Sequence, residues 1–215
     1  MREIVRPSLH FTPRKGWIND PNGLVFFKGQ YHLFYQYNPY HDNWDSMHWG
    51  HAVSRDLIHW EELEPALVPD MPYDNDKNGG CFSGSVVVHD DQLFLFYTGR
   101  TEDETGIFET QNLAVSKDGI HFVKAEENPL IKEVPEKGGR DFRDPKVFFA
   151  QGKWRMICGG STGELNIRTA AEEFICSLLP ICTIGRIAEF CTKQSPVRAE
   201  CLNVRMLSAL MMSGF

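Results

Sequence analysis

The strongest constraint on this chain is a repeat spacing of 62 residues. Leu33-Phe34-Tyr35 returns as Leu95-Phe96-Tyr97, and Ala52-Val53-Ser54-Arg55-Asp56-Leu57-Ile58-His59-Trp60 returns as Ala114-Val115-Ser116-Lys117-Asp118-Gly119-Ile120-His121-Phe122. Gly23-Leu24-Val25-Phe26-Phe27 is echoed by Gly84-Ser85-Val86-Val87-Val88. Asp20-Pro21 and Asp144-Pro145 lie two periods apart. Within each unit, short alternating or aromatic runs are separated by turn residues, and no stretch carries a helical period. A fixed period holding several short strands is the pattern of a β-propeller, one four-stranded blade per unit.

The first unit predicts strands over roughly 23–28, 31–37, 48–55 and 59–63, and the second over about 83–89, 92–98, 111–116 and 120–124. A third unit opens at Asp144-Pro145-Lys146-Val147. Equivalent positions of successive blades face one central channel, so the repeat alone predicts that Asp20 and Asp144 share a cavity. About two and a half blades cannot close the ring and remove its edges, so the chain reads as the front part of a larger domain.

Trp17-Ile18-Asn19-Asp20-Pro21-Asn22-Gly23 concentrates a carboxylate, amides and an indole in seven residues. Asp-Pro and Asn-Gly are turn dipeptides, and a turn accounts for Pro21 to Gly23. It leaves Asp20 and its polar company unexplained. Together with Phe82-Ser83-Gly84-Ser85 and Phe142-Arg143-Asp144-Pro145, in this order and spacing, the stretch resembles the successive signatures of glycoside hydrolase family 32. That family holds invertases, β-fructofuranosidases and sucrose-6-phosphate hydrolases. The resemblance covers about residues 7–160. It implies an all-β fold, a five-bladed propeller followed by a β-sandwich, of which this chain carries the N-terminal part.

The resemblance also implies roles. Asp20 is the expected nucleophile: a retaining glycosidase needs an ionised carboxylate that attacks the anomeric carbon. Asp144 is the expected transition-state stabiliser, through hydrogen bonds to fructosyl hydroxyls that strengthen as charge develops. Arg143 is expected to hold that carboxylate ionised and lower its pKa. Asn19, Gln36, Trp44, Phe82 and Ser83 are expected to line the fructosyl pocket, with Trp17 at its rim. Trp49 fits either rim or core, and Trp60 and Trp154 read as packing residues. The chemistry implied needs no metal or organic cofactor. The run His41 to His51 lacks the spacing of a chelating pair and reads as a polar loop. Asp74, Asp76, Asp90, Asp91 and Glu102–Glu104 read as solvated turn residues.

The pattern breaks at the general acid. The family uses a Glu in a Glu-Cys-Pro-Asp motif, whereas this chain reads Glu200-Cys201-Leu202-Asn203. No acid is therefore assigned in frame. From Ser161 to Phe215 there is no Asp, His, Trp or Tyr, and four of the six cysteines fall there. This tail, 161–215, is expected to be atypical, out of frame and poorly structured. With shifted codons, Leu178 to Gly185 can encode Ser-Ser-Asp-Leu-His-Asn-Trp, which resembles Ser54 to Trp60. Glu200 to Met206 can encode Met-Phe-Glu-Cys-Pro-Asp, the missing motif.

The remaining numbers narrow the partners. A net charge of −7 and a pI near 5.6 disfavour nucleic acid and anionic membranes, which call for clustered Lys and Arg. No apolar leader or membrane span is evident, which predicts a cytoplasmic protein without disulfides. The expected partner is a small sugar, sucrose or sucrose 6-phosphate. Two other readings stay open: a non-catalytic truncated or pseudogene product, and a fructoside-binding propeller. Fructosyl transfer is a further variant within the family.

Overall fold

In the computed structural model, residues 7, 9–133, 141–150, 153–160 and 179–181 are described. They form three antiparallel sheets. The first runs β1 (Trp17–Phe27), β2 (Gln30–Asn38), β3 (His48–Ser54) and β4 (Trp60–Leu67), each strand bonded to the next. The second repeats this order with β5 (Gly80–His89), β6 (Gln92–Asp103), β7 (Gly106–Ser116) and β8 (Val123–Lys124). The third contains β9 (Phe142–Ala150), β10 (Lys153–Gly160) and β11 (Leu179–Ile181). The first strands β1, β5 and β9 pack side by side. This is an arc of propeller blades whose first strands wall the channel, as the repeat predicts.

The faces between sheets hold the core. Phe27, Phe34, Trp49 and Leu67 of the first sheet meet Cys81, Leu93, Leu95, Tyr97 and Ala114 of the second. Phe94, Phe96 and Leu113 of the second meet Phe142, Val147, Met156 and Cys158 of the third. Alternation along β6 explains the division: Leu93, Leu95 and Tyr97 face one neighbour while Phe94 and Phe96 face the other. Such strands, buried on both faces, read as continuous apolar runs. Trp49 belongs to this core, while Trp60 and Trp154 pack at its margins.

Two expectations need correction here. β1 begins at Trp17, not at 23, so the Asp20-Pro21-Asn22 stretch is strand and not turn. Asp74 is fully buried, not a solvated turn residue. It sits in the connection between the first two sheets and accepts bonds from Lys124 Nζ (2.7 Å) and Tyr97 Oη (2.9 Å). Asp90 and Asp91 do lie exposed in the β5–β6 turn, both with positive φ. Within 161–215, Leu179–Ile181 pair with β10. The remaining tail readings, Glu200 included, lie outside the described residues.

Candidate active site

All three channel strands are irregular at one level. β1 gains an extra residue against β2 between Ile18 and Pro21, and another between Pro21 and Gly23. β5 gains one between Phe82 and Gly84. β9 gains one between Arg143 and Lys146. A bulge leaves a residue out of the ladder and turns its side chain away from the regular alternation. Here the displaced residues include Asp20, Ser83 and Asp144.

Contacts between the strands show that these bulges share a height. A Cβ at Gly23 would meet Val86 Cγ2 at 2.7 Å. Ser85 Oγ donates to Pro145 O at 2.7 Å and accepts from Val147 N at 3.0 Å. Just before these crossings lie Asp20, Ser83 and Asp144, so all three belong to the same end of the channel. Farther along, Asn22, Gly23, Gly84, Ser85 and Lys146 line a cavity of about 310 Å³.

The two acids are electrostatically joined. Asp144 has its pKa raised, first by desolvation of its carboxyl. Arg143 opposes the shift, while the charges of Glu109 and Asp20 add to it. Asp144 and Asp20 both keep exposed surface. The charge of Asp20 thus acts on the Asp144 carboxyl. Arg143 does pull the Asp144 pKa down, as expected, but desolvation outweighs it and the net shift is upward. The Arg143 guanidinium turns to Glu109 Oε1 (2.8 Å) and Asp141 Oδ1 (2.9 Å). A buried carboxylate with one ionic partner draws the arginine more strongly than its exposed sequence neighbour does.

The other predicted residues divide. Asn19 is exposed and donates from Nδ2 to Asp20 Oδ2 at 3.3 Å. Trp44 is 44% exposed and meets Phe82 edge-on at 6.0 Å between ring centroids. Phe82 also carries the Arg100 guanidinium over its ring at 5.5 Å. Trp44 and Phe82 thus form an aromatic pair beside the β5 bulge. Ser83 is half-buried at the β5 bulge. Gln36 is only 4% exposed, and its Nε2 donates to Cys81 O at 3.0 Å. It ties the first sheet to the second just before Phe82. Trp49 Nε1 acts alike, donating to Phe82 O at 3.0 Å. Trp17 opens β1 opposite Asn38, half-buried at the strand's entry.

Sequence reasoning missed the residues beneath the third bulge: Thr98, Glu109 and Gln111. A buried Glu109 at 4% exposure lies 34 positions from its arginine, and no local pattern announces such a pairing. The one available signal is the alternation Glu109-Thr110-Gln111, which puts two polar side chains on one face of β7. Among the described residues no cluster of three metal-ligating side chains occurs.

Comparison with known proteins agrees with this architecture. A family model described as the Glycosyl hydrolases family 32 N-terminal domain matches residues 10–170. A sucrose-6-phosphate hydrolase of Zymomonas mobilis is 48% identical over 162 residues, 74% of this chain and 31% of that protein. A levanase of Bacillus subtilis is 46% identical over 166 residues, 72% of this chain and 23% of that protein. The chain thus spans about a third or less of the length of these curated relatives. A solved Bombyx mori GH32 beta-fructofuranosidase superposes with a TM-score of 0.65 at 46% identity, covering 73% of this chain and 32% of the other. A fructan 1-exohydrolase IIa of Cichorium intybus gives 0.65 at 37% identity, over 75% and 31%. With its blades, its bulged channel strands and its three motifs in register, this chain belongs to glycoside hydrolase family 32.

Proposed function

We propose that this chain carries the nucleophile half of a retaining β-fructofuranosidase site, acting on sucrose or sucrose 6-phosphate. Asp20 attacks the anomeric carbon of the fructosyl unit and forms the covalent fructosyl-enzyme. Asp144 accepts hydrogen bonds from fructosyl hydroxyls. Trp44 and Phe82 offer apolar faces to the ring's C–H surface, and Asn19 orients Asp20.

The observation that supports this reading is the joint field of Asp20 and Asp144. Two carboxylates facing one cavity repel each other. A positive charge developing at an anomeric carbon between them relieves that repulsion. The site therefore favours an oxocarbenium-like transition state over a neutral ground state. The leaving alkoxide also needs a proton. In the sequence as it reads, no Glu-Cys-Pro-Asp motif supplies one, so negligible sucrose turnover is predicted for this chain.

The decisive experiment restores the frame that encodes the acid motif and measures release of glucose and fructose from sucrose. Activity that disappears in Asp20→Asn supports the reading. Full activity in Asp20→Asn overturns it. Robust sucrose hydrolysis by the unrestored chain overturns the assignment of a missing acid. The alternative of a fructoside-binding propeller draws on the same absence, and predicts fructoside binding that survives in Asp20→Asn.

A further inference from the structure

Asp144 adopts φ 59°. This is the left-handed region, which residues other than glycine populate sparsely and which, inside a strand, the surroundings must hold. In the structure, three side chains from the second sheet do so. Thr98 Oγ1 accepts from Asp144 N at 3.1 Å and donates to Gln111 Oε1 at 2.9 Å. Gln111 Nε2 donates to Phe142 O at 2.7 Å. Glu109 Oε2 accepts from Phe142 N at 2.6 Å, and its Oε1 accepts from Arg143 Nη1 at 2.8 Å.

Phe142 is thus held at both its N–H and its carbonyl, and Asp144 at its N–H. Thr98 and Gln111 are fully buried and Glu109 nearly so. Burying a carboxylate and an amide is costly unless their bonds are made, so this network is rigid where complete. All three residues belong to β6 and β7. The strand they grip, β9, belongs to the next blade.

We propose that Thr98, Glu109 and Gln111 are positioning residues that hold Asp144 left-handed, so that its carboxylate faces Asp20 across the channel. The proposal rests on the reading of Asp144 as a site carboxylate. It adds that the geometry is imposed by the preceding blade. Glycine at 144 would take this conformation unaided. Asp90 and Asp91 take it in an exposed turn, whereas Asp144 takes it inside a strand, with its N–H bonded to Thr98.

The test is nuclear magnetic resonance of the whole chain in Thr98→Val, Glu109→Gln and Gln111→Ala. The Asp144 Cα and Cβ shifts report its backbone conformation, and its carboxyl carbon reports its titration. Circular dichroism confirms that each variant keeps its sheets. The Asp144 shifts move from left-handed toward extended values in all three. In Glu109→Gln its titration also moves to lower pH, because one of the charges that raise it is gone. Unchanged Asp144 backbone shifts in folded variants overturn the clamp. Thr98→Val removes a single hydroxyl at nearly constant volume, so it decides the matter if Glu109→Gln fails to fold. Asp20→Asn separates the two readings. If it leaves the Asp144 titration unmoved, the shared site fails while the clamp stands.

Discussion

Leu57 occupies in the first sheet the position that Gly119 occupies in the second. Both are left-handed, at φ 64° and 79°. Ser54 Oγ accepts from Leu57 N and Ser116 Oγ from Gly119 N, each at 2.9 Å. Asp56 and Asp118 each take the next two backbone N–H groups and a histidine Nδ1, from His59 and His121, at 2.7 to 2.9 Å. The turn is the same, but only one copy has the residue its backbone favours. A side chain in this region costs roughly 1–2 kcal/mol, partly offset by the greater freedom of an unfolded glycine. Leu57→Gly is therefore expected to stabilise the chain by about 0.5–1 kcal/mol in urea unfolding at pH 7. Gly119→Leu should cost about 2 kcal/mol or more, since its Cβ would stand 2.8 Å from His32 Cε1 and 3.1 Å from Phe27 Cδ1. A lower urea midpoint for Leu57→Gly would refute the first expectation.

That turn also explains why the repeat was legible. Ser, Asp and His at fixed offsets bond only to their own neighbours, so the pattern is written locally. The strand cores were legible for a similar reason, as apolar runs between turns. What stayed hidden depends on pairing. An extra residue in β1, β5 or β9 exists only relative to the partner strand, so Pro21 to Gly23 looked like a turn. Asp74 looked solvated because its lysine is 50 positions away. Arg143 was assigned to Asp144 by adjacency, whereas its guanidinium bonds Asp141 and Glu109, the latter 34 positions away. The blades and the family were readable, but the bonds that hold β9 were not.

His32 Nδ1 and His51 Nε2 lie 3.0 Å apart inside the first sheet, against Phe34 and Phe122. Desolvation lowers the pKa of His51, with help from His32, to about 3. Burial also lowers His32 and His48. Well above pH 6.5 these rings are neutral in both folded and unfolded chains and do not affect the balance. Below it the unfolded chain takes up protons that the folded chain refuses, so stability falls as pH falls. His51 alone should cost about 2 kcal/mol at pH 5 relative to pH 7. Urea unfolding at the two pH values measures this loss. His51→Phe should flatten the dependence between pH 6.5 and 5, and an undiminished slope in that variant would contradict the assignment.

Lys124 closes the second sheet onto the connection from the first. Its Nζ donates to Val68 O, Asp70 Oδ1 and Asp74 Oδ2, each at 2.7 Å. The Asp74 side chain has no exposed surface, and that of Lys124 is 13% exposed. Removing one member of such a pair leaves a buried charge without its counter-ion, at a cost of about 3–5 kcal/mol. Lys124→Met should lose about this much in thermal or urea unfolding. Asp74→Asn in the Lys124→Met background should cost far less than it does alone, because the uncompensated charge is then absent. Additive losses would show that the two residues act separately.

A fructosyl donor whose leaving group needs no proton isolates the chemistry of Asp20. β-Fructofuranosyl fluoride departs as fluoride, so a missing general acid does not block the first step. Asp20 Oδ attacks the anomeric carbon, the C–F bond breaks, and fluoride carries away the electron pair. The same acid residue, acting as base, would activate water for release, so without it the fructosyl-enzyme should accumulate. Incubation with this donor is expected to add the mass of one fructosyl group to the chain, with the modified peptide containing Asp20. Asp20→Asn should show no adduct. Asp144→Asn should label at least tenfold more slowly, a loss of roughly 1.4 kcal/mol of transition-state stabilisation. Labelling that persists in Asp20→Asn, or an adduct on another residue, would remove Asp20 from the role of nucleophile.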